Sequence, residues 1–224
     1  MTAYWEAFHQ HLHRYFNHRS AIKRPSGGTA WNLADDEEFH VLEFEPGPRS
    51  DRWTYVSVGC GTVQPDGGQR IEFILCAREC SERHVEIVEL TAFYHVNGHT
   101  LDVGHTLPIG RPWLPGGTLD HLLVARPYPF EPMLERFRSG RHHAQLLWLV
   151  PITRSESELR HEKGLDALES RLESSGIDYT DPSRTDVSML RRWWTPWRSG
   201  GHPAVGATPP PTAPTAERRA TRTS

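Results

Sequence analysis

Residues 144–150 read Ala-Gln-Leu-Leu-Trp-Leu-Val, an apolar run broken only by Gln145. It is too short for a typical helix and has no polar stripe, so it reads as a buried strand. A second such strand, Leu119–Ala125, precedes it, and Pro127 to Arg138 between them has room for little more than a turn of helix. Upstream, Trp53–Cys60 and Arg70–Cys76 are rich in β-branched and aromatic residues. Pro65-Asp-Gly-Gly68 separates them and supplies turn residues, which predicts a hairpin with a longer loop. Phe39–Glu45 reads as a further strand, entered from the acidic patch Asp35 to Glu38 and stopped by Pro46-Gly-Pro48.

Helical spacing alternates with these strands. Tyr4, Trp5, Phe8, Leu12, Tyr15 and Phe16 fall on one face of a helix over 3–18. Val85, Val88, Ala92, Phe93 and Val96 predict a helix over 82–96, with Asn97-Gly98 as its C-cap. Residues 99–118 hold three prolines and four glycines and read as loop. Ser155-x-x-Glu158 reads as a capping box opening one last helix, in which Leu159, Leu165, Leu168 and Leu172 share a face. Gly176 closes that helix, and Ile177 is placed for the apolar contact beyond it. The pattern predicts an α+β fold, a mixed and largely antiparallel sheet packed with helices, over residues 1–198. Residues 199–224, rich in Pro, Ala and Thr, read as a disordered tail.

The chain has 224 residues, enough for one domain with a sizeable core. Its net charge of −3 divides into +2 on the tail and −5 on the body, which argues against work by neutralising phosphates. No apolar run is long enough to span a membrane, and the start lacks a basic region followed by an apolar stretch. Three cysteines are too few for a disulfide framework, so a cytoplasmic protein with reduced thiols is expected.

Fourteen histidines raise the question of a metal. His95-x3-His99-x5-His105, with Asp102 inside the stretch, is the best candidate set, but its spacing matches no closed zinc pattern. Cys60 lies between Gly59 and Gly61 at a strand end, where a nucleophile could be exposed. Phosphate-binding glycine motifs, the G-x-S-x-G elbow and H-E-x-x-H are all missing. Arg191-Arg-Trp-Trp-Thr-Pro-Trp-Arg198 could stack on bases, or fold back over the sheet.

One ordered set of motifs is familiar. Asp102-Val-Gly-His-Thr-Leu-Pro-Ile-Gly-Arg-Pro112 resembles the GHT[IL]PxGxP loop of the Suppressor of Fused (SUFU) family. Leu119–Val124 with Pro127, then Leu147-Trp-Leu-Val-Pro-Ile152, resemble the strands that follow. Glu158 to Leu172, with Gly164, is similar to the family's E-x-x-x-(K/R)-x-x-G-x-x-x-L helix, and Asp181-Pro-Ser-Arg184 to its closing D-x-x-R turn. Tyr55–Gly59 and Arg70–Leu75 look like the first hairpin in looser form, so the resemblance covers roughly residues 35–188.

The resemblance implies a non-enzymatic protein-binding domain. Animal members are two-domain repressors that clamp a peptide between domains, a clamp one domain cannot complete. Stand-alone bacterial relatives look like immunity proteins that neutralise a cognate toxin. The use of 23 Arg against 2 Lys fits a GC-rich bacterial source. The leading expectation is a cytoplasmic protein that neutralises or sequesters a protein partner, such as a polymorphic toxin, with no cofactor and no metal. The loop around His105, Arg111 and Trp113 is the expected partner-binding site. The rival is a hydrolase or metal-dependent enzyme using Asp102 and His105 with Cys60 or a metal. A nucleic-acid regulator using residues 191–198 is the third reading.

Overall fold

The computed structural model describes residues 3–24, 39–64 and 69–189. The acidic patch at 35–38, the loop at 65–68, the cluster at 191–198 and the tail at 199–224 lie outside them. Helix α1 (Tyr4–Phe16) leads into strands β1 (Ser20–Lys23), β2 (His40–Phe44) and β3 (Trp53–Val58). A 3-10 turn (Cys60–Thr62) precedes β4 (Ile71–Ala77) and α2 (Glu82–Val96). After β5 (Thr106–Pro108) and β6 (His121–Ala125) come α3 (Pro132–Glu135) and β7 (Arg136–Ser139). Finally β8 (His142–Ile152) passes to α4 (Arg154–Lys163) and α5 (Leu165–Ser174).

The strands form one sheet in the order β1-β2-β3-β4-β8-β6-β5, with β7 also paired to β8. Only the β4–β8 pair is parallel among the described strands. The opening run is thus the central strand. One edge of β8 pairs with β4, while the other pairs with β7 through residues 142–145 and with β6 through 148–152. This is the expected mixed, largely antiparallel α+β architecture. No helix among the described residues is long and apolar enough to cross a membrane.

Alternation along the strands builds two core layers. Leu42, Phe44, Val56, Ile74, Leu146, Trp148 and Val150 face α1, α4 and α5. Val41, Tyr55, Phe73, Leu75, Leu122, Leu147 and Leu149 face α2 and the segment 101–119. Both faces of the central strands are therefore covered, so the polar residues they carry, such as Ser57 and Glu72, are buried as well. Burial of each large side chain contributes about 1.5–3 kcal/mol.

The structure differs from expectation at four points. Trp5 is 40% exposed, because Tyr4, Phe8, Leu12, Tyr15 and Phe16 already fill the buried stripe of α1. Strands β1, β5 and β7 are additional; each has three or four residues and at most one buried side chain, so no apolar run betrays them. The capping box is Thr153 with Glu156, two residues before the expected pair. The expected single helix is two, because Gly164 takes φ +86° and ψ 170° and interrupts the ladder between α4 and α5.

Candidate functional site

The GHT motif builds the connection from α2 to β6. Gly104 N–H donates to Val124 O at 2.7 Å, and Val124 N–H donates to His105 O at 2.8 Å, so the motif joins the sheet just before β5. Gly104 has φ +87°, a conformation that strains any other L residue, and a Cβ there would press on Leu165 Cδ2 at 3.1 Å. Farther on, Ile109 N–H donates to Asp120 O and Trp113 N–H to Leu119 O, closing the long loop against β6. Gly117 packs so closely that a Cβ would lie 2.9 Å from Pro182 O.

The three expected binding residues have different fates. Trp113 is 1% exposed and belongs to the core beneath α2, its Nε1–H donating to His84 Nδ1 at 3.1 Å. Arg111 is exposed, and its Nη2 donates to Glu86 Oε2 at 2.6 Å. Arg83 binds the other Glu86 oxygen at 2.8 Å and donates to the Ile109 and Arg111 carbonyls. Against the upward push of partial burial, these two guanidiniums hold the Glu86 carboxyl below its ordinary range. Loop and helix are thereby clamped together. His105 is exposed, and its Nδ1 accepts from Asp102 N–H at 3.2 Å.

The residues named in the enzyme and metal readings sit in different surroundings. The Asp102 carboxylate accepts from Val103 N–H, so its Oδ1 caps the turn. Cys60 is fully buried, and burial, with the Glu72 carboxylate beside it, pushes its thiol well above the ordinary value. His95 is buried, with Nδ1 accepting from Leu101 N–H at 3.0 Å, and burial pushes its imidazole down to about 4. Among the described residues no group of three or more His, Cys, Asp or Glu side chains is placed to hold a metal.

The structure instead brings His105 into an open groove of about 320 Å³ between the end of α2 and α4. Tyr94, His99, Thr106, Arg160 and His161 line it with His105. Tyr94 and His99 stack at 4.1 Å. Thr106 Oγ1 lies 3.1 Å from His161 Nε2 and accepts from Ser157 Oγ at 2.8 Å, which fastens α4 beside β5. Among the described residues β5 is the last strand of the sheet. Sequence reasoning missed His161 and Arg160 because they converge on His105 from more than fifty residues away; the charged tip of a helix gives no signal of its own.

Two buried carboxylates hold this frame in register. Glu72 accepts from Tyr4 Oη, Gly59 N–H, Gly61 N–H and Ser57 Oγ, tying α1 and the 3-10 turn to the sheet. Burial pushes its carboxyl up to about 7 against the pull of those donors. Glu156 accepts two hydrogen bonds from Arg184, at 2.7 and 2.6 Å, so the D-x-x-R turn is locked onto the start of α4.

The comparisons with known proteins agree with this architecture. No curated protein sequence matches the chain. A SUFU (suppressor of fused protein) homologue from Neisseria gonorrhoeae is similar over 82% of this chain and 96% of its own, with 26% identity and a TM-score of 0.68. A structure of a Sufu–Fu complex is 14% identical, with a TM-score of 0.59 over 82% of this chain and 92% of that one. Drosophila Suppressor of Fused is also 14% identical, with a TM-score of 0.58 over 81% of this chain and 50% of its own. The last two show a shared fold only. The family model for Suppressor of fused protein (SUFU) matches residues 35–185, which hold the sheet from β2 onward, the GHT loop and the Glu156–Arg184 lock. This chain belongs to the Suppressor of fused family.

Proposed function

We propose that the chain is a non-enzymatic protein-binding domain that neutralises or sequesters a protein partner, as an immunity-type protein does with a cognate toxin. The groove beside β5 carries the reading. It offers a tyrosine ring and a guanidinium, side-chain types that anchor protein interfaces, together with imidazoles, beside the outer edge of a strand that is terminal among the described ones. His105 contacts the partner from the groove, and Arg111 extends the surface along α2. Trp113 contributes by fixing the loop from within the core. The fold's occurrence in a Sufu–Fu complex supports a binding role.

Inhibition on this reading comes from covering the partner's working surface, with an interface on the order of 1,600 Å². Co-expression with a toxin-domain protein that copurifies with the tagged chain tests the proposal. Wild-type chain should restore growth of the expressing cells, and an Arg160→Glu/His161→Asp variant that stays folded should not. Growth arrest unaffected by wild-type chain in molar excess would remove the immunity role.

A further inference from the structure

The β7–β8 hairpin gathers a second, strongly basic surface. Arg136 and Arg138 project from one face of β7, while Phe137 between them is buried against Tyr4 and Phe8. His143 lies opposite Arg138 and Gln145 opposite Arg136. Arg70 borders the same hollow, of about 320 Å³, its Nη1 held by the carbonyls of Gly61 and Thr62. A neighbouring hollow of about 290 Å³ shares Arg70 and His143 and adds Arg141 and His142. No carboxylate among the described residues lines either hollow. Arg136 and Arg138 are exposed, and neither is in an ion pair with a described residue.

This arrangement runs against the chain's own charge, since the body carries −5 overall. Charged side chains commonly guard a sheet edge against aggregation. Here basic groups come from two strands and the residue leading into a third. Strand geometry sets Arg136 and Arg138 about 6.8 Å apart along β7, the same repeat as alternate side chains of any extended chain. The outer edge of β7 meets no other strand among the described residues. A nucleic acid would meet the long-range repulsion of the acidic body, whereas a short acidic peptide meets chiefly the local patch.

We propose that this face docks an acidic, extended segment of a protein partner, with carboxylates at alternate positions set against Arg136 and Arg138 and with Arg70 and His143 beside them. The inference rests on the protein-binding reading only in taking a polypeptide as ligand, and it uses other residues than the groove.

The test is fluorescence anisotropy at low salt with the full chain and a labelled peptide of alternating Glu and Thr, about ten residues long. Saturable binding is expected. It should weaken about tenfold or more in Arg136→Ser/Arg138→Ser and with added salt, and stay unchanged in Arg160→Ala. The double variant alters exposed side chains and Arg160→Ala a half-buried one, and an unchanged melting temperature confirms the fold of each. Equal binding by wild type and the double variant would overturn the proposal, as would no saturable binding. Tighter binding of an oligothymidylate of the same length would assign the face to phosphates instead. Because the probe is a peptide, failure here leaves the groove reading standing, and loss of toxin neutralisation alone leaves this one standing.

Discussion

Replacing Arg184 by methionine should destabilise the domain far more than a surface substitution would. The Arg184 and Glu156 side chains are 2% and 0% exposed, and two hydrogen bonds join them. Arg184 also donates to the carbonyls of Pro151 and Thr185. Without it, the Glu156 carboxylate keeps only the backbone N–H groups of Thr153 and Val187, each at 2.9 Å. Stranding a buried carboxylate in this way costs about 3–5 kcal/mol. At roughly 2–4 °C per kcal/mol for a domain of this size, the melting temperature should fall by about 6–20 °C. Urea unfolding of Arg184→Met, Glu156→Gln and the double variant measures the pair directly. In the double variant the buried charge is gone, so it should recover part of the loss, giving a coupling of about 1–3 kcal/mol. A cost below about 1 kcal/mol for Arg184→Met, or strict additivity in the double variant, would refute the argument.

Three further outcomes follow from the same geometry. Burial pushes the His84 and His95 imidazoles down to about 4 from an ordinary 6.5, so the unfolded chain binds more protons between those values. Their contribution is complete above pH 6.5 and is lost as pH falls to 4, up to about 3 kcal/mol for each, whereas Glu72, pushed up to about 7, favours the folded state as pH falls from 7 to 4.5. His9 moves the same way, pushed down to about 4 by burial and by His40 and His13, while burial also raises Glu89 and Glu169; the imidazoles prevail, so denaturation midpoints should fall on acidification from pH 6.5 to 4.5, and a rise would contradict the assignment. Trp113→Ala should cost about 3–5 kcal/mol and open the 109–119 loop to limited proteolysis, while Trp113→Phe, which forfeits mainly the bond to His84, should cost about 1–2 kcal/mol. In the native protein iodoacetamide should label the exposed Cys80 and leave the buried Cys60 and Cys76 unmodified until denaturant is added; rapid native labelling of Cys60, read by mass spectrometry, would revive a nucleophilic role.

Much of the sheet is legible in the sequence because its strands are buried on both faces. The run from Ala144 to Val150 can be little else, and the stripe in α1 needs a covered face. The short strands are another matter. β7 presents Arg136, Arg138 and Ser139 to solvent and only Phe137 to the core, so periodicity treats it as loop. The true capping box was equally visible as a pattern, Thr153-x-x-Glu156. What distinguishes it from Ser155-x-x-Glu158 is the burial of Glu156 against Arg184, a contact across 28 residues that local rules cannot see. The same limit applies to the site. The GHT loop marks where His105 lies, but Trp113 reads as an interface residue until the structure shows it under α2. His161 joins His105 only through the packing of α4 beside β5.

The central claim is stoichiometric association with a protein. Purifying the tagged chain from its native cells at endogenous level, with light scattering on the eluted species and quantitative mass spectrometry, tests it most directly. The account predicts one partner at near equimolar ratio, retained through washing and lost in the Arg160→Glu/His161→Asp variant. A chain that elutes alone under mild conditions, or with the same partners whether or not the groove is altered, would contradict it.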